Sequence, residues 1–107
     1  MPEAVENLLQ LYRTKLELLS DSHIKKIILY GSYARGDFQK DSDIDVMVLV
    51  DMKDFKDFED KVFNLTYDFN LEHHTDIMPI VQNFEHFNYW KNAYMFYRNI
   101  NREGISI

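Results

Sequence analysis

A glycine-serine pair at Gly31-Ser32, two aspartates one residue apart at Asp43 and Asp45, and a further aspartate at Asp76 are the side chains of this chain whose types and spacing could do chemistry. Gly31-Ser32 follows an apolar run and opens a short helical segment. A strand that ends and turns into a helix leaves backbone N–H groups without acceptors at the helix start, where the dipole also favours an anion. Such an end can hold a triphosphate, because glycine lets a phosphate approach the backbone and the Ser32 hydroxyl adds a donor to the same oxygens. After ten intervening residues, Asp43 and Asp45 begin the next apolar run. If that run is a strand, its period of two puts both carboxylates on one face. Adjacent anions repel, and hard oxygen ligands at this spacing suit Mg2+, which keeps waters and substrate phosphates in its shell. If the third strand, in which Asp76 comes early, lies beside the second, Asp76 completes a triad able to hold two such ions about 3.5 to 4 Å apart, flanking the entering and leaving oxygens of a phosphoryl-type transfer. Asp68 and Glu72 are the substitutes for Asp76 as third ligand.

The elements that must position these residues are legible in the periodicity. From Pro2 to Ser20, Val5, Leu8, Leu9, Tyr12, Leu16 and Leu19 recur at helical spacing, and a turn is expected at Asp21-Ser22. Ile24 to Tyr30 reads as a buried strand stopped by Gly31, residues 32 to 35 as a helical turn, 36 to 42 as a polar loop, and Ile44 to Val50 as a second strand. Phe55, Phe58, Val62, Leu65 and Phe69 form the apolar stripe of a helix between Asp54 and Leu71. Thr75 to Val81 is the expected third strand, with Pro79 marking an edge or a bulge because it cannot donate to a ladder. A last helix is expected over Phe84 to Asn99, followed by Gly104 and a short strand at 105 to 107. This order predicts an α/β (α+β) architecture with helices on a small mixed sheet, built as one domain over residues 1 to 107.

The last helical segment holds seven aromatics in the fourteen residues from Phe84 to Tyr97. On a continuous helix Phe87, Trp90, Tyr94 and Tyr97 share one face, with Tyr89 and Phe96 away from it. The second face is either buried within the domain or a surface for a partner in a homo- or hetero-oligomer, since aromatics are enriched in interface cores.

Composition narrows the function classes. A net charge of −6 argues against direct nucleic-acid binding, which rests on Lys and Arg neutralising phosphates. The chain has no cysteine, which excludes disulfides and thiolate metal sites and is compatible with a reducing cytoplasm. The acidic N-terminus and the lack of an apolar run near the roughly 18 to 20 residues of a membrane span predict a soluble, cytoplasmic protein. Arg35 and Lys40 could screen polyphosphate charge, although basic loop residues are most often only solvated. Asp37 and Asp41 read as turn formers, and His73 and His74 as two adjacent surface imidazoles rather than a zinc site.

Gly31-Ser32, ten residues, then Asp43-Ile44-Asp45 resembles the G-S-x10-D-x-D signature of the nucleotidyltransferase superfamily related to DNA polymerase beta. The flanking Ala34-Arg35-Gly36 and Ser42-Asp43-Ile44-Asp45 are similar to the wording of its minimal (MNT, MntA-like) branch, as are the element order and the closing Asn101-Arg102-Glu103-Gly104-Ile105. The resemblance implies a metal-dependent transferase with Asp43, Asp45 and Asp76 as catalytic metal ligands, and with Gly31, Ser32, Arg35 and Ser42 at the nucleotide. It also implies ATP as substrate, Mg2+ as cofactor, and a HEPN-domain toxin as partner, whose tyrosine hydroxyl would receive AMP. A chain of this size holds no added helical domain of the kind that aminoglycoside-modifying relatives use for a small acceptor, which disfavours a drug as acceptor. The alternative is a catalytically idle antitoxin that neutralises its toxin by occlusion alone.

Overall fold

The computed structural model describes residues 1–20 and 22–107, so Asp21 of the expected turn lies outside the described residues. The element order is α1 (Glu3–Ser20), β1 (Ile24–Tyr30), α2 (Ser32–Arg35), β2 (Ile44–Val50), α3 (Lys56–His73), β3 (Ile77–Asn83), α4 (Phe84–Trp90), α5 (Met95–Glu103) and β4 (Ile105–Ser106). The four strands form one mixed sheet in the order β3-β2-β1-β4. The β1–β2 and β1–β4 pairs are antiparallel and the β2–β3 pair is parallel. Helix α3 is the crossover that the parallel pair requires. The fold is the expected α+β class, a small mixed sheet with helices on both faces.

Strand alternation divides the core in two. Ile27 and Leu29 of β1 and Ile44, Val46, Val48 and Val50 of β2 face one side, where Leu9, Tyr12 and Leu16 of α1 and Phe58, Val62 and Phe69 of α3 cover them. Ile28 and Tyr30 of β1 and Met47 and Leu49 of β2 face the other side, under Phe87 of α4 and Tyr97 and Ile100 of α5. Because β2 is covered on both faces, it reads as a continuous apolar run. The polar pair buried in the first core is self-satisfied: Tyr12 Oη and Thr66 Oγ1 lie 2.6 Å apart, and the Thr66 hydroxyl is within 2.7 Å of the Val62 carbonyl oxygen. Burial pushes the Tyr12 phenol up to about 12.

Two expectations shift. The third strand begins at Ile77 rather than Thr75, because His74 adopts a left-handed conformation (φ 53°) and the Thr75 N–H donates to the Asn70 carbonyl, closing α3. The single aromatic helix expected over Phe84 to Asn99 is two helices. The N–H groups of Ala93 and Tyr94 both donate to the Trp90 carbonyl, Tyr94 is extended (φ −86°, ψ 124°), and α5 restarts with the Arg98 N–H donating to Tyr94 O. The break resets the helical phase, so that Phe87 from one helix and Tyr97 and Ile100 from the next all reach the sheet. Tyr94, which a continuous helix would place on one face with the buried Phe87 and Tyr97, is instead exposed and stacks on Trp90, ring centroids 5.0 Å apart.

Pro79 lies on an edge strand, as its missing donor requires, and no bulge interrupts its ladder. The side chain of Asn70 accepts from the Ile77 N–H at 2.9 Å and donates to the Ile77 carbonyl at 3.1 Å, so both groups turn away from β2. Two residues further on, Pro79 presents the same outer edge with no N–H at all. The edge is thus blunted against pairing with another strand. Asn70→Ala leaves two Ile77 backbone groups without this partner and is expected to lower unfolding stability by roughly 1 to 3 kcal/mol. Urea denaturation should show a clearly smaller loss for Asn64→Ala, an exposed position of the same helix.

Candidate functional site

The β1–β2 register pairs Tyr30 with Asp45, which brings the end of β1 against the start of β2. Immediately after Tyr30 the chain turns at Gly31 with φ 76°, a left-handed value that glycine adopts without strain. Glycine is required there for a second reason. A Cβ at residue 31 would overlap the Oδ2 atom of Asp45, so the carboxylate occupies the space that any side chain would need. Helix α2 begins at the next residue and ends after one turn at Gly36 (φ 86°), where the N–H groups of Gly36 and Asp37 both donate to Ser32 O. The N–H groups of Ser32, Tyr33 and Ala34 belong to the first turn, which has no intrahelical acceptors.

The loop from Gly36 to the start of β2 is tied to itself. The Gln39 N–H donates to Ser42 Oγ at 2.7 Å, the Ser42 N–H donates back to Gln39 O at 3.0 Å, and Tyr33 stacks on Phe38 with ring centroids 4.5 Å apart. Ser42 therefore has a loop-closing role besides lying at the site. Arg35 donates to Asp37 and to Glu103, each at 3.2 Å, and so ties α2 to α5. Asp37, read from sequence as a turn former, is an ion-pair partner, whereas Lys40 and Asp41 are exposed in the loop.

These elements enclose an open cleft of about 460 Å3, lined from β1 and α2 by Tyr30, Gly31, Ser32 and Arg35 and from β2 by Ser42, Asp43 and Asp45. Six of the sequence-predicted site residues, Gly31, Ser32, Arg35, Ser42, Asp43 and Asp45, thus meet in one place. The Asp45 carboxyl is held above its ordinary pKa, first by burial and then by the charge of Asp43, with Arg35 partly offsetting both. Burial and then the Asp45 charge push the Tyr30 phenol up to about 12.

Asp76 stands apart from this lining. It is exposed, one residue before β3, and its carbonyl accepts from the Ile44 N–H at 2.9 Å. The parallel register Ile44 to Ile77 sets it alongside Asp43, on the sheet face that Asp45 shares. Among the described residues no three His, Asp or Glu side chains are grouped closely enough to enclose an ion. Asp68 and Glu72 line a different groove, between α1 and α3 with Lys15 and Leu18, and do not replace Asp76. His73 is not a simple surface imidazole: its ring packs 4.3 Å from that of Phe69 and it is partly buried.

Sequence reasoning missed the fourth wall. Phe96, Asn99, Ile100 and Glu103 of α5 complete the cleft. Their spacing of i, i+3, i+4 and i+7 marks one helix face, a signal that was masked while α4 and α5 were read as one helix.

The model of the nucleotidyltransferase domain family matches residues 11–101. The chain belongs to this family. Two proteins of Methanocaldococcus jannaschii, each named "putative protein adenylyltransferase", are similar to this nucleotidyltransferase. One is 44% identical over 81 residues, covering 76% of this chain and 75% of that protein. The other is 32% identical over 71 residues, covering 65% and 71%. Among solved structures, one described as the crystal structure of a toxin-antitoxin with AMP-PNP shares the fold, with a TM-score of 0.54 at 18% identity over 89% of this chain and 68% of that one. No helix among the described residues of the nucleotidyltransferase is long and apolar enough to cross a membrane.

The raised Asp45 pKa carries a stability consequence. In its window the folded state binds more protons than the unfolded state, so stability falls as pH rises from the unfolded value of 3.8 through the folded value. Asp45→Asn is therefore expected to raise the melting temperature of the metal-free protein at pH 7. The gain over wild type should shrink as the pH is lowered below that window, which a thermal-denaturation series in EDTA reads directly.

Proposed function

We propose that this nucleotidyltransferase transfers AMP from ATP to a hydroxyl group of a partner protein, with release of pyrophosphate, and that it acts as the antitoxin of a HEPN-domain toxin whose tyrosine hydroxyl is the acceptor. The observation that carries the reading is the turn at Gly31-Ser32 packed against the Asp45 carboxylate, because it brings the start of a helix and a hydroxyl beside paired carboxylates in one cleft. The names of the M. jannaschii relatives and the toxin-antitoxin description of the structural neighbour support the protein acceptor and the toxin partner.

The donor set fits a hard divalent cation. Asp43 and Asp45 offer hard oxygen ligands, the Asp45 carboxyl is raised by burial and by the Asp43 charge, and Arg35, the cation acting on Asp45, is already engaged by Asp37 and Glu103. Asp43 and Asp45 would hold Mg2+, with Asp76 as a third ligand brought in from outside the cleft lining, and the ion would neutralise the triphosphate and lower the pKa of the acceptor hydroxyl. The Gly31-Ser32 turn orients the β- and γ-phosphates through backbone N–H groups and the Ser32 hydroxyl. Arg35 offsets charge at the rim. Asp76, on the β3 side and open to solvent, stands where an acceptor from outside can approach, and accepts its proton. The exposed aromatics Tyr89, Tyr94 and Phe96 favour a second reading, neutralisation by docking without transfer.

Two measurements test these readings. ATP binding should require a divalent cation, because the site and the substrate are both anionic; calorimetry that finds equal ATP affinity in EDTA and in Mg2+ removes the metal reading. Incubation of a HEPN-domain toxin partner with the wild-type protein, Mg2+ and ATP should add whole AMP residues to the toxin in intact mass spectra, and repurified toxin should stay inactive. Toxin treated with the Asp43→Asn/Asp45→Asn variant should regain RNase activity on separation. Equal recovery in both arms with no added mass leaves docking as the mechanism.

A further inference from the structure

The cleft has two chemically different ends. From β1, α2 and the start of β2 the cleft is lined by the turn, the hydroxyls and the carboxylates, whereas α5 supplies the apolar Phe96 and Ile100 with the neutral amide of Asn99 between them. We propose that α5 carries the base-recognition subsite of this enzyme, with Phe96 as the stacking platform for the purine and Asn99 as the group that reads the adenine edge. The inference rests on the transferase reading above and names the specificity of that same site.

Transfer geometry points to this wall. In phosphoryl-type transfer the entering and leaving oxygens lie roughly in line with the phosphorus. With pyrophosphate at the Gly31-Ser32 turn after β1, and the acceptor arriving on the Asp76 side of the sheet, the nucleoside must leave the α-phosphate across that line. Helix α2 bounds one side of the cleft and α5 bounds the other. Glu103, at the end of the same α5 face, is paired with Arg35, and its carboxylate disfavours phosphate close to α5.

The two side chains suit a base. Phe96 is 47% exposed at the edge of the cleft, an apolar ring that contributes little to the core, while an edge contact with Tyr30 (centroids 5.8 Å apart, 85° between planes) holds its orientation. Asn99 is half-buried, and Arg102 donates to its Oδ1 at 3.2 Å. That bond sets which way the amide faces, and Nδ2 has no protein partner among the described residues. A fixed amide presents a donor beside an acceptor, the complement of an adenine edge with its exocyclic N–H and neighbouring ring nitrogen. Guanine places an acceptor oxygen where adenine has its donor, against the pinned carbonyl of Asn99.

Calorimetry in Mg2+ with ATP, GTP and inorganic tripolyphosphate tests the proposal on the full chain. Wild type should bind ATP at least about ten-fold tighter than GTP, in line with one good bidentate contact. Phe96→Ala should weaken both nucleotides by roughly ten-fold, the scale of one base–aromatic stack, and leave tripolyphosphate unchanged. Phe96→Tyr should keep ATP affinity. Asn99→Asp removes the amide donor while keeping the shape, and should collapse the ATP preference over GTP, a ratio in which the added charge cancels because both ligands carry the same triphosphate. Tripolyphosphate also reports that each variant is folded at the cleft. If Phe96→Ala and Asn99→Asp bind both nucleotides as wild type does, or if wild type holds ATP no better than tripolyphosphate, the base subsite is overturned while the phosphate site stands. If wild type binds none of the three ligands, the transferase reading falls and the subsite falls with it.

Discussion

The close approach of the Asp45 carboxylate to the backbone of Gly31 is the contact on which the rest of the site depends. It exists because β1 and β2 pair antiparallel with Tyr30 opposite Asp45, so that the chain leaving β1 must turn directly above a charged side chain. Only a residue without Cβ leaves room for that side chain, and the positive φ needed to swing into α2 favours the same residue. Once the turn is set, Gly31 and Ser32 line the same cleft as Asp43 and Asp45. The connection back to β2 is held at working length by the Ser42–Gln39 pair and the Tyr33–Phe38 stack.

The electrostatics follow from the same crowding. A half-buried carboxylate beside a second carboxylate resists ionisation, and the nearby guanidinium divides its charge among Asp45, Asp37 and Glu103. The protein thus carries an unresolved negative charge at the cleft floor when metal-free, a local cost that its function compensates through a bound cation in the proposed mechanism. An acidic chain of net charge −6 has few cations with which to hold a polyanion, whereas the backbone N–H groups of a turn cost no net charge to present.

The two faces of the sheet divide the labour. The face covered by α1 and α3 is apolar, and its buried Tyr12–Thr66 pair is satisfied internally. The opposite face carries Tyr30 and Asp45 and is only partly roofed by α4 and α5, so Met78 and Ile80 of β3 remain exposed on the side from which an acceptor would come. The blunted outer edge of β3 complements this opening. Asn70 and Pro79 suppress strand addition at the edge, which leaves the open face as the accessible surface of β3.

Local pattern was enough for much of the molecule. The stripes of α1 and α3, the apolar runs of β1 and β2, and the interval from Gly31-Ser32 to Asp43 and Asp45 depend on residues near one another in sequence, and each was readable from periodicity or spacing. Pro79 announced an edge because its missing donor is a property of the residue alone. Other features depend on contacts that no local window contains. The division of the aromatic segment into α4 and α5 is decided by the sheet, which both Phe87 and Tyr97 must reach, and a helix wheel drawn through Lys91 and Tyr94 has no knowledge of that surface. The start of β3 is decided where α3 closes, with His74 left-handed and the Thr75 N–H donating to the Asn70 carbonyl instead of entering the ladder. The α5 wall of the cleft, the Arg35–Glu103 tie across 68 positions and the separation of Asp76 from the cleft lining all required the β1–β2 hairpin and the β2–β3 crossover to be folded first. Sequence alone determined which residues could hold phosphate and metal, because that is a matter of donor type and spacing. Only the tertiary structure decided what faces them, because the opposing wall comes from a distant element placed by packing.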